Sequence, residues 1–326
     1  MSQATKKSIS QNEFFNSILA EFSKTFGSAS SEHPNVRCLS KPALVSEFVQ
    51  LRNRLAHPGF KEISGKAILD NLVQSGLVHA IPLIDPNTDQ PIEKLFSIGL
   101  NEASLELDPV ELLQAIVPSG AVCYFTAIQF HDLSTQIPVH HHIAQIVDTP
   151  PKNANSSTDT PSRRISSKRP TRKVDPLGQR QFLYQDIPYY VTTRSRRRMP
   201  GIQDRYFTNK TVISITTYEQ TLIDTLHHPL SCGGPSVVFE AWENAVSGLD
   251  QDRLLNYLQE IDDEQLNRRV GYLLTEHLEH ELETQLDNYL QRTKRTTISD
   301  QMVTPVSLLP GYQYSHTSLE WRLEVP

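Results

Sequence analysis

The sequence predicts an α+β protein: a winged helix-turn-helix over residues 1–100, then an α+β domain over residues 101–326 with a helical C-terminal part. Three observations predict it. Apolar residues recur at helical spacing in three successive segments, and a strand–turn–strand pattern follows them. Short apolar runs of strand length occupy the middle of the chain. Stripes at four-residue spacing fill the last third. A chain of 326 residues is long enough for two domains.

Residues 12–26 carry Phe14, Phe15, Ile18, Leu19 and Phe22 on one helical face. Residues 40–56 form the next helix: Ser40 can cap it, Pro42 suits its first turn, and Leu44, Phe48, Leu51 and Leu55 share a face. Ser64 then caps a short helix with Ile68, Leu69, Leu72 and Val73 inward, closed by Gly76. Residues 77–84 read as a strand, 85–89 as a turn and 92–98 as the return strand. In a winged helix the third helix is the recognition helix, and the hairpin lies on the phosphates. Here that helix directs Lys66, Asp70, Asn71 and Gln74 outward, with Ser64 at its start and Lys61 just before it. Lys and Asn side chains suit phosphates and base edges.

Farther along, Asp108 and Pro109 open a helix, residues 125–132 form a short one, and residues 136–147 read as a strand. Residues 184–192 and 211–216 are the next strands. Helices follow at 218–226, from Pro235, after the cap Asp250, and over 268–291, where Leu274, Leu278, Leu282, Leu286 and Leu290 form a drifting stripe. Residues 319–325 end the chain as an alternating strand.

The net charge of −6 averages unlike segments: −5 over residues 1–151, +10 over 152–210 and −11 over 211–326. A basic block between acidic flanks points to a polyanion or an acidic partner. Its first part, with Arg163 and Arg164, is rich in Ser, Thr, Pro and Asn and nearly free of apolar residues. Residues 149–177 therefore read as a disordered basic insertion. Its second part, Arg194, Arg196, Arg197 and Arg198, follows a strand and belongs on an ordered hairpin or loop. Phosphate contact is the reading both parts share.

Other function classes find little support. No apolar run approaches the ~18 residues of a membrane span, and no apolar stretch follows the polar N-terminus as in a signal peptide. Three isolated cysteines provide neither a disulfide framework nor a zinc motif, so a reducing cytoplasm is expected. The chain lacks the glycine signatures of nucleotide binding and the GxSxG of serine hydrolases. His140, His141 and His142 lack a nearby carboxylate partner for a metal. Glu219, Asp224 and Glu240 read as structural, because residues five apart on a helix do not share a face. No catalytic residue, metal or cofactor is expected.

The stretch Ile215-Thr216-Thr217-Tyr218-Glu219-Gln220-Thr221-Leu222-Ile223-Asp224 continues to His228-Pro229-Leu230-Ser231-Cys232-Gly233-Gly234 and Val238-Phe239-Glu240-Ala241. It resembles the core pattern "S-x-E-x-T-L-x-D … P-x-x-x-G-G … E-x-x" of the AbiEi antitoxin family, from type IV toxin–antitoxin phage-defence operons. Arg269-Val270-Gly271-Tyr272-Leu273-Leu274-Thr275 resembles that family's "R-x-G-Y-L-L-E". Leu309-Pro310 and Trp321-Arg322-Leu323 resemble its closing run. Ala127 to Leu133 is similar to its "A-L-x-x-H-G-L" segment. The resemblance covers residues 35–147 and 182–326. It departs from the pattern at Tyr218, at Thr275 in place of an acid, and at Asp132 in place of Gly.

The resemblance implies a winged-helix DNA reader joined to an α+β antitoxin domain. It implies repression of the chain's own operon through inverted repeats in promoter DNA. It also implies action against a nucleotidyltransferase-like toxin, directly or indirectly, with no membrane involved. Two rival readings remain: a stand-alone winged-helix regulator of a defence locus without a toxin partner, and an enzyme built on the three carboxylates.

Overall fold

Helix starts coincide with side chains that satisfy the free N–H groups of a first turn. Ser64 accepts from Ala67 N (3.2 Å), Thr217 from Gln220 N (3.2 Å), Asp250 from Arg253 N (2.9 Å) and Asp263 from Leu266 N (3.2 Å). Asp108 and Glu111 form a reciprocal capping box. A computed structural model describes residues 11–26, 37–55, 63–99, 107–148, 175–207, 212–299 and 304–326. It is a mixed α+β structure in two units. Unit 1 comprises residues 1–118 with 182–186 and 205–213; unit 2 comprises the rest.

Unit 1 runs α1 (Gln11–Phe26), β1 (Cys38–Ser40), α2 (Lys41–Leu55), α3 (Gly65–Gln74), β2 (Val78–Ala80), β3 (Leu83–Ile84), β4 (Pro91–Ile92), β5 (Leu95–Ile98) and α4 (Pro109–Ile116). Strand β5 lies between β1 and β2, antiparallel to both. The helical stripes meet this sheet in one core: Phe14, Ile18 and Phe22 from α1, Leu44, Phe48 and Leu51 from α2, Ile68, Leu69 and Leu72 from α3, and Val78 and Phe96. Gly65 lets α3 approach α2, since a Cβ there would stand 2.8 Å from the Val45 side chain and 3.0 Å from its carbonyl. The expected strand 77–84 is broken. Ile81 donates its N–H to Leu95 O, and Pro82, which has no N–H, interrupts the ladder before β3. Hairpin β3–β4 closes over Asp85, whose carboxylate accepts from Asn87 N (2.8 Å) and Thr88 N (3.3 Å).

Unit 2 begins with β6 (Ala121–Cys123), α5 (Tyr124–Phe130) and β7 (His141–Val147). Strands β8 (Gln179–Tyr184), β9 (Ile187–Ser195), β10 (Ile202–Tyr206) and β11 (Val212–Thr216) follow; the tips of the β8–β9 and β10–β11 hairpins are counted with unit 1. In the sheet, β11 is parallel to β6, β6 antiparallel to β7, and β7 parallel to β9. Helices α6 (Tyr218–His227), α7 (Pro235–Ala245), α8 (Gln251–Ile261), α9 (Glu264–Tyr272) and α10 (Thr284–Ser299) pack with it. A small sheet of β12 (Val306–Ser307), β13 (His316–Ser318) and β14 (Leu323–Val325) closes the chain.

Four strand and helix expectations need correction in unit 2. The strand read over 136–147 begins only at His141; Ile137 and Val139 point into solvent. The strand read over 184–192 is a hairpin, because Gln185 and Asp186 both take positive φ, the geometry of a tight two-residue turn. The helix read over 268–291 is two helices. α9 loosens into a π turn over Leu273–His277, Glu279 turns left-handed at φ 48°, and α10 starts afresh. Glu276, Glu279 and Glu283, three and four apart, would have set like charges on one face of a continuous helix. The closing strand is only Leu323–Val325. Residues 149–174, with Arg163 and Arg164, lie outside the described residues, as does Lys61. Of the expected insertion, residues 175–177 form a turn in which Asp175 accepts from Leu177 N (3.0 Å).

The C-terminal segment is clamped to α9. Arg268 Nε donates to Trp321 O (2.7 Å) and its Nη2 to Arg322 O; Arg269 Nε donates to Ser307 O (3.2 Å). The Trp321 ring lies on the backbone of Gly271, where an added Cβ would meet ring atoms at 2.2 and 2.4 Å. Overpacking of this kind costs about 1–3 kcal/mol. Gly271→Ala is therefore expected to lower the melting temperature by several degrees, and an unchanged thermal midpoint would refute the close packing. A fragment of residues 182–326 omits β6, α5 and β7 from the middle of the unit 2 sheet and is expected to show no cooperative melting. Residues 119–326 are expected to melt cooperatively; circular dichroism against temperature compares the two.

Candidate functional site

Helix α3 is short and amphipathic, with Ile68, Leu69 and Leu72 sealed in the core. The same 3.6-residue period turns Lys66, Asp70 and Gln74 to solvent and leaves Asn71 half-buried. Ser64 is exposed, but its hydroxyl oxygen is engaged as the cap of Ala67 N, so the O–H remains as its free function. Val73, expected inward, is 40% exposed and joins the outer face. The tip of hairpin β3–β4 presents Asp85 and Asp89, both acidic, which disfavours phosphate contact there.

In unit 2, Arg196, Arg197 and Arg198 form an exposed 3-10 turn directly after β9. Arg196 faces Asp148 at 3.9 Å and Arg197 faces Asp262 at 3.6 Å, with both carboxylates largely in solvent. Arg194, expected to share this exposed stretch, points inward and is 6% exposed. Its guanidinium donates to the Tyr124 hydroxyl (2.6 Å) and to Asp224 Oδ1 (3.3 Å), which also accepts from Gln220 Nε2 (3.0 Å). Burial pushes the Asp224 carboxyl up, and Arg194 and Gln220 pull it back without cancelling the rise.

The other two carboxylates go elsewhere. Glu219 is buried and pairs with Arg253 (3.3 Å). Glu240 accepts from Ser134 Oγ (2.6 Å), Thr135 N (2.8 Å) and Thr135 Oγ1 (2.7 Å), which bring its carboxyl down to about 2. The three do not converge; Arg269 donates to the carbonyl oxygens of Ser307 and Leu226. Sequence reasoning missed Arg194 as the partner of Asp224 and Tyr124 as the further partner of Arg194. The available signal was an acid on the inward stripe of α6, which demands a buried cation.

His140, His141 and His142 are buried. His142 stacks on Tyr190 (centroids 5.0 Å, 14°), meets the edge of Tyr124, and its Nε2 donates to Leu177 O (3.0 Å). His141 Nδ1 lies 3.2 Å from Thr126 Oγ1. Among the described residues, no group of three or more His, Cys, Asp or Glu could hold a metal ion. Burial first, and the charge of neighbouring imidazoles second, lower His141 to about 4 and His142 to about 3.

No family model and no curated protein matches this chain. Among solved structures, it is similar to the crystal structure of the RV2827C protein from Mycobacterium tuberculosis. The TM-score is 0.51 at 12% identity, over 95% of this chain and 90% of that one. The likeness is one of fold. Among the described residues, no helix is long and apolar enough to cross a membrane.

The depressed histidines make stability depend on pH. Below about 6.5, the ordinary histidine value, the unfolded chain takes up protons that the folded chain refuses, so stability falls as pH falls. Unfolded carboxylates titrate near pH 4, which leaves the interval from about 6.5 to about 5 to the histidines. Each such imidazole steepens the loss by up to about 1.4 kcal/mol per pH unit. The thermal midpoint is expected to drop steadily from pH 7 to 5, and His142→Asn to flatten that slope; a level profile in the parent protein would contradict the assignment.

Proposed function

We propose that this chain is an AbiEi-type antitoxin: a winged-helix repressor that binds inverted repeats in its own promoter and counteracts a nucleotidyltransferase-like toxin. One observation carries the DNA-binding half. In unit 1, three helices and strands β2 and β5 close around one core, and the third helix leaves Lys66 and Gln74 exposed beside a half-buried Asn71. In a winged helix these positions enter the major groove, where Asn pairs bidentately with adenine and Lys with guanine. The acidic hairpin tip shifts the burden of contact onto α3. The antitoxin half rests on the motif resemblance in unit 2. There Asp224, Gly271, Arg268 and Trp321 have structural duties, so exposed residues must carry any toxin contact.

Lys66→Ala combined with Asn71→Ala is expected to weaken binding to promoter DNA ten- to a hundredfold, about 1–3 kcal/mol, with far-UV circular dichroism unchanged. Fluorescence anisotropy on a labelled promoter duplex measures it. Unaltered affinity would remove α3 from the reading.

A further inference from the structure

We propose that the Arg196–Arg198 turn and His227 form a binding site for a phosphate group, carried by a nucleic-acid backbone or by a free phosphate. The site lies on unit 2 and holds whether or not α3 reads bases.

The turn is fixed from its inner side. Met199 is fully buried and donates its N–H to Arg196 O (3.0 Å); Gln220 Nε2 donates to Arg198 O (3.3 Å), and Gly201 N to Gln220 Oε1 (3.2 Å). Three consecutive arginine stems therefore leave a preorganised backbone. Their present partners hold them loosely: Asp148 and Asp262 stand at 3.9 and 3.6 Å, beyond hydrogen-bond length, and both are mostly exposed. Pairs of that kind contribute little and yield readily to a better anion. The guanidinium fork matches phosphate oxygens in a way no single exposed carboxylate does.

His227 is the second, independent observation. Gln220, Asp224 and His227 lie at i, i+4 and i+7 on α6, one face of the helix. Gln220 holds the arginine turn, Asp224 holds Arg194, and His227 ends the row at the α8–α9 corner, 3.9 Å from Asp263. Its side chain is 7% exposed, yet neither ring nitrogen has a hydrogen-bond partner. A buried N–H without an acceptor is costly and calls for a ligand. Burial, then the charges of Arg194, Arg269 and Arg198, hold the ring neutral. A phosphate oxygen would supply the missing acceptor and relieve that field. Asp262 and Asp263 are the carboxylates it must displace; Asp263 Oδ1 is already engaged as the cap of Leu266 N.

The test uses the full chain. Inorganic phosphate, against chloride at equal ionic strength, is titrated while the His227 ring nitrogens are followed by NMR, and a random-sequence duplex is titrated at several salt concentrations by anisotropy. The expected result with inorganic phosphate is a saturable shift of His227, lost in Arg197→Ala/Arg198→Ala, weakened about tenfold in His227→Gln, and unaffected by Lys66→Ala/Asn71→Ala. With the duplex, the double arginine variant is expected to lower the slope of log affinity against log salt by about 1–2. A His227 shift with an unchanged duplex slope assigns the site to free phosphate, the shift together with a changed slope extends it to the backbone, and a changed slope without the shift leaves an ordinary arginine contact and overturns the site. Absence of both, in variants whose melting temperature matches the parent, overturns the site.

Discussion

The buried pair of Arg194 and Asp224 is the constraint on which unit 2 depends. Neither charge reaches solvent, at 6% and 0% side-chain exposure. Taking two ions out of water costs several kcal/mol each, and attraction offsets that only when the remaining donors and acceptors are satisfied. Here Tyr124 from α5 serves Arg194 and Gln220 from α6 serves Asp224 Oδ1, while Asp224 Oδ2 is left without a hydrogen bond, in keeping with its raised carboxyl. Gln220 then carries the order outward to Gly201 and Arg198. Gly201 has no room for a side chain, since a Cβ would sit 2.5 Å from Tyr257 and 2.7 Å from Gln220. One ion pair thus fixes β9, α5, α6 and the arginine turn together. Losing either partner would strand the other charge, at a cost of order 3–5 kcal/mol.

The same logic explains why a motif can be conspicuous without touching a ligand. Thr221 donates back to Thr217 O (2.8 Å) and meets Thr216 Oγ1 (2.8 Å). Gly233 takes φ +95° with Phe125 and Val237 packed where a Cβ would go. Arg268, Gly271 and Trp321 form one clamp, so the Arg-x-x-Gly spacing and the distant tryptophan are two halves of one contact. Residue types that would suggest acid–base chemistry are here consumed by folding. Under the proposed readings, ligand contact falls instead to the outer face of α3 and to the arginine turn, whose partners are loose.

Legibility in the sequence followed locality. Ser64, Asp108, Asp250 and the Gly234–Pro235 junction marked helix starts correctly, because a cap acts within three residues of itself. Core stripes of unit 1 were legible for the same reason: the helical period alone places Phe14, Phe48 and Leu69 inward. What escaped depends on distant partners. Arg194 looks like its neighbours Arg196 and Arg197 until Asp224, thirty residues on, is known to face it. The split between α9 and α10 falls among crowded glutamates and a left-handed Glu279, while the leucine stripe runs through unbroken. Ile137 and Val139 alternate like a strand yet have no sheet beside them. Of the residues expected to touch DNA, Lys66 and Gln74 are exposed on α3, Asn71 is half-buried, and the arginines of the insertion lie outside the described residues.

Charge distribution decides how an anion could meet unit 2 at all. Residues 211–326 carry −11 against +10 over residues 152–210, which hold the arginine turn, so a polyanion approaching unit 2 meets repulsion from one segment beside attraction from the other. At physiological ionic strength that repulsion is screened beyond about 8 Å, and within that range the local pattern dominates the net charge. Three guanidinium groups on one rigid turn are such a pattern. They can serve as a contact once the partner is held near, but they cannot steer it from afar. A site of this kind adds affinity and register to a ligand already captured elsewhere. Its share of the binding free energy is then set by the geometry of a few hydrogen bonds rather than by the field of the whole unit.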